Sequence, residues 1–195
     1  MFSLFLFFLL IQSFLIGPQA NCKEHKVHIS GLKKILDNFH SVEPGICYRS
    51  AQLRPKTLAR YIKKYGIKSV INLRGENAHS DWWKAEKMVS EELGVTYYNL
   101  PFCAKKLEKK HDLKALLHIY KIAPRPILIH CLSGADRTGE AAALWVLEQQ
   151  GKSKKEALKQ LSLYYRYFRL KRPKKFFLIK HWSGIKNFNC PDAVS

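Results

Sequence analysis

Along the middle of the chain the spacing of apolar positions switches repeatedly between helical and strand-like. Leu58, Ile62 and Tyr65 share one helical face that Gly66 stops, and I-K-S-V-I-N-L, residues 67–73, then reads as a strand. Ser80 is placed to cap a helix carrying Trp82, Ala85, Val89 and Leu93 and ended by Gly94; V-T-Y-Y-N-L is the next strand. Trp82 and Trp83 are adjacent, so only one of them can face a core. Leu113, Leu116, Leu117 and Tyr120 mark a further helix, closed by Pro124 and Pro126 before a short buried strand of Ile127, Leu128 and Ile129. From Thr138 the run T-G-E-A-A-A-L-W-V-L-E-Q-Q is helical, and Gly139, Ala141, Ala142 and Ala143 permit close packing on a sheet. Gly151 ends it, and Ser153-Lys-Lys-Glu156 has the form of a capping box that starts another helix. This order predicts an α/β domain with a mainly parallel central sheet flanked by helices and a ligand at the carboxyl ends of its strands. No repeat, linker or low-complexity tract interrupts it, and 195 residues suffice for one domain with a real core.

The chemistry concentrates in residues 126–139, P-I-L-I-H-C-L-S-G-A-D-R-T-G. A cysteine, a tight loop and an arginine follow an apolar strand and precede a helix. Backbone N–H groups of Leu132, Ser133, Gly134, Ala135, Asp136 and Arg137, together with the positive end of the helix dipole, would converge there on an anion. The same field acts on Cys131, whose thiol pKa of ~8.5 can fall to between ~3.5 and ~7.5 in such a place. Arg137 supplies a planar fork for two phosphoryl oxygens, and Gly134 lets the loop turn with its N–H groups inward. His130 is placed to hydrogen-bond loop backbone and help hold the thiolate. Thr138 can donate its hydroxyl to the sulfur as the sulfur leaves.

This segment resembles the His-Cys-x5-Arg-Ser/Thr signature loop of the cysteine-based protein-tyrosine and dual-specificity phosphatases. Residues 46–165, including Y-R-S-A-Q-L and S-V-I-N-L-R-G-E, are similar to the compact bacterial dual-specificity-like branch. The resemblance implies two-step hydrolysis through a phosphocysteine, with no metal and no cofactor. It implies as substrates phosphotyrosine, phosphoserine or phosphothreonine in proteins, or phosphoinositides and inositol phosphates. Most members carry a Pro-Asp general acid upstream, and here that place reads N-L-P-F-C-A-K-K-L-E-K-K-H-D-L with no Pro-Asp pair. Glu108 and Asp112 read as the start of the helix that follows. Asp136, directly before Arg137, resembles the loop Asp of those secreted tyrosine and lipid phosphatases and myotubularins in which it has been proposed as proton donor; the alternative is that it only orients Arg137. Leu132 and Ala135 are not the loop lysines of 3-phosphoinositide phosphatases. Two other classes compete: a non-catalytic module that binds a phospho-ligand or anionic membrane, which needs no nucleophile, and a rhodanese-like sulfurtransferase, which Arg137 and Thr138 suit less well.

Composition adds three expectations. Residues 1–20 are apolar, carry no charged side chain and end in a small residue, which reads as an export signal, or if uncleaved as a membrane anchor, ahead of a phosphatase domain over 21–195. Export, to the periplasm or the medium, leaves Cys22, Cys47, Cys103 and Cys190 as either disulfide partners or free thiols beside the catalytic Cys131; none has the short Cys-x2-Cys spacing of a structural zinc site. The formal net charge of +19 draws anionic partners. Residues 164–182, Y-Y-R-Y-F-R-L-K-R-P-K-K-F-F-L-I-K-H-W, mix basic and aromatic side chains. They read as a surface for anionic membrane or a polyphosphorylated ligand, or as a terminal helix broken near Pro173 with Phe176, Phe177, Ile179 and Trp182 packed inward and its lysines solvated. Single-stranded nucleic acid is the least favoured of these readings. Arg74 follows a strand on the side where the signature loop emerges, so it reads either as a second charge at the pocket rim or as a surface partner of Glu76.

Overall fold

The structure, a computed structural model, describes residues 36–188. The apolar segment 1–20, Cys22 and Cys190 lie outside the described residues. Among the described residues the strands β1 (His40–Glu43), β2 (Cys47–Ser50), β3 (Ser69–Asn72), β4 (Thr96–Asn99) and β5 (Ile127–His130) form one five-stranded sheet in the order β1-β2-β5-β3-β4. Only β1 is antiparallel, turned back onto β2 through Gly45 at φ +74°; β2, β5, β3 and β4 run parallel. Every residue of β2, β3 and β5 is buried, as strands covered by helices on both faces require. Alternate side chains serve the two layers. Ile127 and Ile129 join Ile71, Leu116, Tyr120 and Trp145 on one face, while Leu128 joins Val70, Tyr48, Leu58 and Tyr61 on the other.

The helices are α1 (Pro55–Tyr65), α2 (Asp81–Glu92), α3 (Lys110–Ile122), α4 (Asp136–Glu148), α5 (Lys154–Leu158) and α6 (Pro173–Lys180). The expected α/β architecture is the one that forms. Pro55 starts α1 with its missing N–H harmless at the first turn, and Gly66 ends it in the left-handed region at φ +62°. At α5 the Ser153 hydroxyl accepts the Glu156 N–H at 3.3 Å, one half of a capping box.

Several expectations need correction. α2 is rotated from the face read in the sequence: Trp83, Glu86 and Ser90 are buried, Trp82 is not, and Val89 and Leu93 are only partly covered. Polar anchoring turns it, since the Trp83 indole N–H donates to Asn99 Oδ1 at 3.0 Å and Glu86 reaches inward to His130. α4 begins at Asp136 rather than Thr138, which puts Asp136 in its first turn. Pro173 starts α6 instead of breaking a helix. Of the side chains expected to pack inward there, Ile179 and Trp182 do and Phe176 does in part, but Phe177 is 51% exposed. Among the described residues Cys47 and Cys103 are free thiols, one of the two readings left open for them.

The largest departure concerns charge. Lys175, expected in solvent, is 1% exposed. Its ammonium pairs with Glu140 Oε2 at 2.5 Å and with Glu108 Oε1. Glu108 does not open α3 as the sequence implied; it lies before the helix, buried, and its carboxylate accepts the Cys103 N–H at 3.0 Å. Asp112 does sit in the first turn of α3. The cluster ties the loop before α3 to α4 and α6. Burial pushes the Glu140 carboxyl up to about 7 against the pull of Lys175. A carboxyl whose folded pKa exceeds its unfolded one holds a proton the unfolded chain releases, so its contribution favours the fold at low pH and declines as pH rises from 4.5 to about 7.

Removing one partner of a buried ion cluster typically costs about 3–5 kcal/mol because the others are left charged and unpaired. Lys175→Met is therefore expected to lower thermal stability sharply near about pH 8 and much less near about pH 5, where the two glutamates take up protons instead. Thermal melts of both proteins across that range check this; a pH-independent deficit would mean the carboxylates were never charged.

Candidate active site

β5, the central strand, delivers His130 to the carboxyl end of the sheet, and the chain then turns through residues 131–135 into α4. What shapes that turn is the fate of three consecutive carbonyls. Leu132 O accepts the Gln52 N–H at 3.0 Å. Ser133 O accepts from Asn38 Nδ2 at 3.0 Å, and Gly134 O from Arg49 Nη2 at 2.8 Å. A planar trans peptide directs its N–H opposite to its C=O, so the N–H groups of Ser133, Gly134 and Ala135 face the other way, into the loop. The Gly134 N–H reaches the Cys131 sulfur. Gly134 itself is required twice over. Its φ is +71°, and a Cβ there would sit 2.7 Å from Ala51 N and Ser50 O.

Arg49 is the support that sequence reading missed. It is fully buried, donates through Nη1 to Gln160 O at 2.9 Å and Gln160 Oε1 at 2.8 Å, keeps an Nε–H without a partner, and lies 4.0 Å over the Tyr165 ring. Burial lowers its pKa to about 10, so it stays charged at neutral pH. Asn38 was missed as well; besides Ser133 O it donates to Tyr165 O at 3.2 Å. Both lie far from the loop in sequence, and only the Y-R-S-A-Q-L run hinted at Arg49.

Inside the turn, Cys131 is 1% exposed. Burial pushes its thiol up, but the Thr138 hydroxyl, the Arg137 charge and the N–H groups of Thr138 and Gly134 outweigh that and hold it below the ordinary value. The Thr138 hydroxyl is buried with no oxygen or nitrogen partner, which leaves it for the sulfur. Arg137 donates through Nη1 to Leu73 O at 3.4 Å, while its Nε–H is buried without a partner. An unmet charged donor beside inward N–H groups is what a phosphoryl oxygen would satisfy.

His130 sits beneath the thiol with Nδ1 3.3 Å from Cys131 O and Nε2 2.5 Å from Glu86 Oε1. Burial opposes its charge, and Glu86, with help from Cys131, overcomes that and raises its pKa, which favours the charged ring beside the thiol. Glu86, a third residue the sequence did not disclose, also accepts from the Tyr97 hydroxyl at 3.2 Å. Asp136 is half-buried at the loop's other end. Burial raises its pKa, and Arg172, Lys175 and Arg137 only partly offset this. Its nearest cation is Arg172, with Nε at 3.9 Å. Arg74 does come to the rim. It donates to Gln52 Oε1 at 3.1 Å, rests 3.6 Å over the Trp82 ring and has its pKa lowered by burial and by the Arg137 charge, rather than pairing with Glu76. Glu108 is not part of this site, being committed to Cys103 and Lys175.

A family model described as "DSP-PTPase phosphatase fused to NAD+ Kinase" matches residues 33–177. The chain belongs to this phosphatase family. It is a phosphatase of the protein-tyrosine and dual-specificity type. Among solved structures, this phosphatase is similar to P. aeruginosa TpbA in complex with phosphotyrosine, at 20% identity over 77% of this chain and 86% of that one, with a TM-score of 0.61. It is also similar to the core catalytic domain of the PP-IP phosphatase Siw14 from S. cerevisiae, solved with citrate, at 23% identity over 74% and 85% of the two chains and a TM-score of 0.62. A third likeness is to PTPMT1, at 16% identity over 73% of this chain and 91% of that one, with a TM-score of 0.56. No curated protein sequence matches the phosphatase.

Since the Thr138 hydroxyl is the largest of the influences lowering the Cys131 thiol, Thr138→Val is expected to move the pH midpoint of its alkylation by iodoacetate upward while the fold persists. Rate against pH, with the modified cysteine identified by peptide mapping, checks this. An unmoved midpoint would transfer the effect to Arg137 and the loop N–H groups.

Proposed function

We propose that this phosphatase hydrolyses phosphomonoesters through a phosphocysteine on Cys131, with Asp136 as its acid and base. The observation that carries the reading is a thiol held below its ordinary pKa beside an arginine whose buried Nε–H has no partner. In the first step the Cys131 thiolate forms a bond to phosphorus in line with the leaving oxygen. Arg137 and the loop N–H groups take the equatorial oxygens, the P–O bond breaks, and Asp136 gives its proton to the departing oxygen. In the second, Asp136, now a carboxylate, takes a proton from water as that water attacks phosphorus. The P–S bond breaks and the thiolate returns to the Thr138 hydroxyl and the Gly134 N–H. A carboxyl pushed up by burial is the kind that holds the proton the first step needs.

For substrate, the similar structures are those of a protein solved with phosphotyrosine and of a PP-IP phosphatase. Arg74, brought beside Arg137 and braced by Trp82 and Gln52, supports a substrate with a second anionic group next to the scissile phosphate. Inositol phosphates bearing several phosphates meet that description; a phosphotyrosyl peptide meets it through a neighbouring acidic residue.

Cys131→Ser is expected to abolish turnover while keeping phosphate binding, and unchanged hydrolysis would sink the phosphocysteine. Asp136→Asn is expected to slow alkyl phosphates by a larger factor than an activated aryl phosphate, within the ~10² to 10⁴ typical of proton transfer, because an alkoxide needs the proton more. Equal losses on both would make Asp136 a support for the loop. Arg74→Ala is expected to raise KM for a polyphosphorylated inositol by about tenfold or more and leave a simple aryl phosphate nearly unchanged, in line with a charge-assisted hydrogen bond of about 1.5–3 kcal/mol. Steady-state kinetics on the three substrates reads all of these.

A further inference from the structure

Residues 163–171 present an unusual surface. Leu163 is 70% exposed, Tyr164 71%, Phe168 54% and Leu170 97%. These side chains are not outward for want of structure. Tyr167, in their midst, is 1% exposed, its hydroxyl donates to Arg172 O and accepts the Phe176 N–H at 3.2 Å, and Arg172 N–H closes onto Phe168 O at 3.1 Å. The loop is therefore fixed around one buried ring, with apolar neighbours turned out around a surface groove of about 510 Å³. Arg166, Arg169 and Lys171 alternate with them, and no Asp or Glu occurs between Glu156 and Asp192.

We propose that this loop docks the phosphatase on an anionic lipid bilayer. Projecting aliphatic side chains enter a fluid acyl layer without a matching cavity, a tyrosine suits the headgroup boundary, and the interleaved cations meet lipid phosphates. A segment with exposed apolar groups, many cations and no carboxylates is complementary to such a surface. The face belongs to the loop and not to α6, whose Lys175, Leu178 and Ile179 are buried. Docking here also orients the pocket. Arg172, at the end of this loop, stands 3.9 Å from Asp136, and Leu132 on the signature loop is 57% exposed. Through Arg172 the docking loop adjoins Asp136 at the α4 end of the signature loop, and docking brings that end toward phosphate groups at the bilayer surface. Only this last consequence rests on the function proposed above.

Leu170→Trp in the full chain tests the docking directly, adding one projecting indole to four tryptophans of which Trp83, Trp145 and Trp182 are buried. With vesicles of phosphatidylcholine and phosphatidylglycerol at low salt, the added emission is expected to shift to the blue and be quenched by brominated acyl chains. Both effects should fall at least about tenfold with ~0.5 M salt or with Arg169→Glu and Lys171→Glu together, since screened or reversed charges lose the lipid attraction. An added indole that still emits as exposed on anionic vesicles overturns the proposal, even if residues 1–20 carry the chain to them. An indole already shielded in buffer also overturns it, because a terminal segment or a second copy then covers the loop. Hydrolysis of a soluble aryl phosphate by the Arg169→Glu, Lys171→Glu variant is expected to match the parent's. Failure of catalysis in the parent would count against the function and leave the docking result standing.

Discussion

The outward hold on three loop carbonyls is the constraint on which the site depends. A loop that must offer several N–H groups to one anion has to place its carbonyls somewhere, and an unpaired buried carbonyl is costly. Here Gln52 N–H, Asn38 and Arg49 take the carbonyls of Leu132, Ser133 and Gly134 in turn. The donors come from the chain before α1, so Asn38 ahead of β1, the β2 strand and its exit loop act together as a splint behind the signature loop. The splint fits so closely that Gly134 has no room for a side chain. Arg49 adds a positive charge on the outer side of the same peptides, and it is fixed in turn by Gln160 and Tyr165. The thiol's low pKa is therefore a property of packing between β2, β5 and α4, and not of residues 130–138 alone.

Buried charge is arranged around the loop with the same economy. Glu86 from α2 holds His130 under the thiol, and Lys175 from α6 joins Glu140 of α4 to Glu108. Each pair crosses between elements that hydrophobic contact alone would leave free to slide or rotate. Apolar side chains fit many neighbours; a carboxylate that must reach one nitrogen fits one arrangement. α2 shows the effect, since the helix turns Glu86 and Trp83 inward and leaves Trp82 at the rim, where its ring supports Arg74.

These partnerships also mark what the sequence could and could not disclose. The I-K-S-V-I-N-L and V-T-Y-Y-N-L strands, the α1 helix with its Gly66 stop, the short apolar run of Ile127, Leu128 and Ile129 and the cysteine loop were legible because each is written within a few neighbouring residues. Arg49, Asn38 and Glu86 were not, because their roles exist only across the fold: Arg49 and Gly134 are separated by 85 positions, Asn38 and Ser133 by 95. Lys175 was misread for a related reason. In a segment this basic each lysine looks solvated, and nothing local says that Glu108 and Glu140 will meet one of them. The face of α2 was misjudged because hydrophobicity was counted and the inward pull of polar side chains was not.

The fate of Glu108 bears on how a phosphatase of this type can dispense with an upstream Pro-Asp acid. A general acid on a separate loop must move in to meet the leaving oxygen. In this chain the corresponding segment is tied down: Glu108 accepts the Cys103 N–H with both oxygens and pairs with Lys175 in the interior. Releasing it would break its buried ion pair with Lys175 and leave the Cys103 N–H without its acceptor, a cost of several kcal/mol that substrate binding would have to meet at every turnover. Asp136 needs no such motion. It stands in the first turn of α4 beside Arg137, the arginine proposed to take the phosphate, with burial raising its pKa and Arg172 limiting the rise. A fixed acid can serve only leaving groups that enter along one direction, so under the proposed role of Asp136 selectivity would pass from a closing loop to the rim, where Arg74 and Trp82 stand.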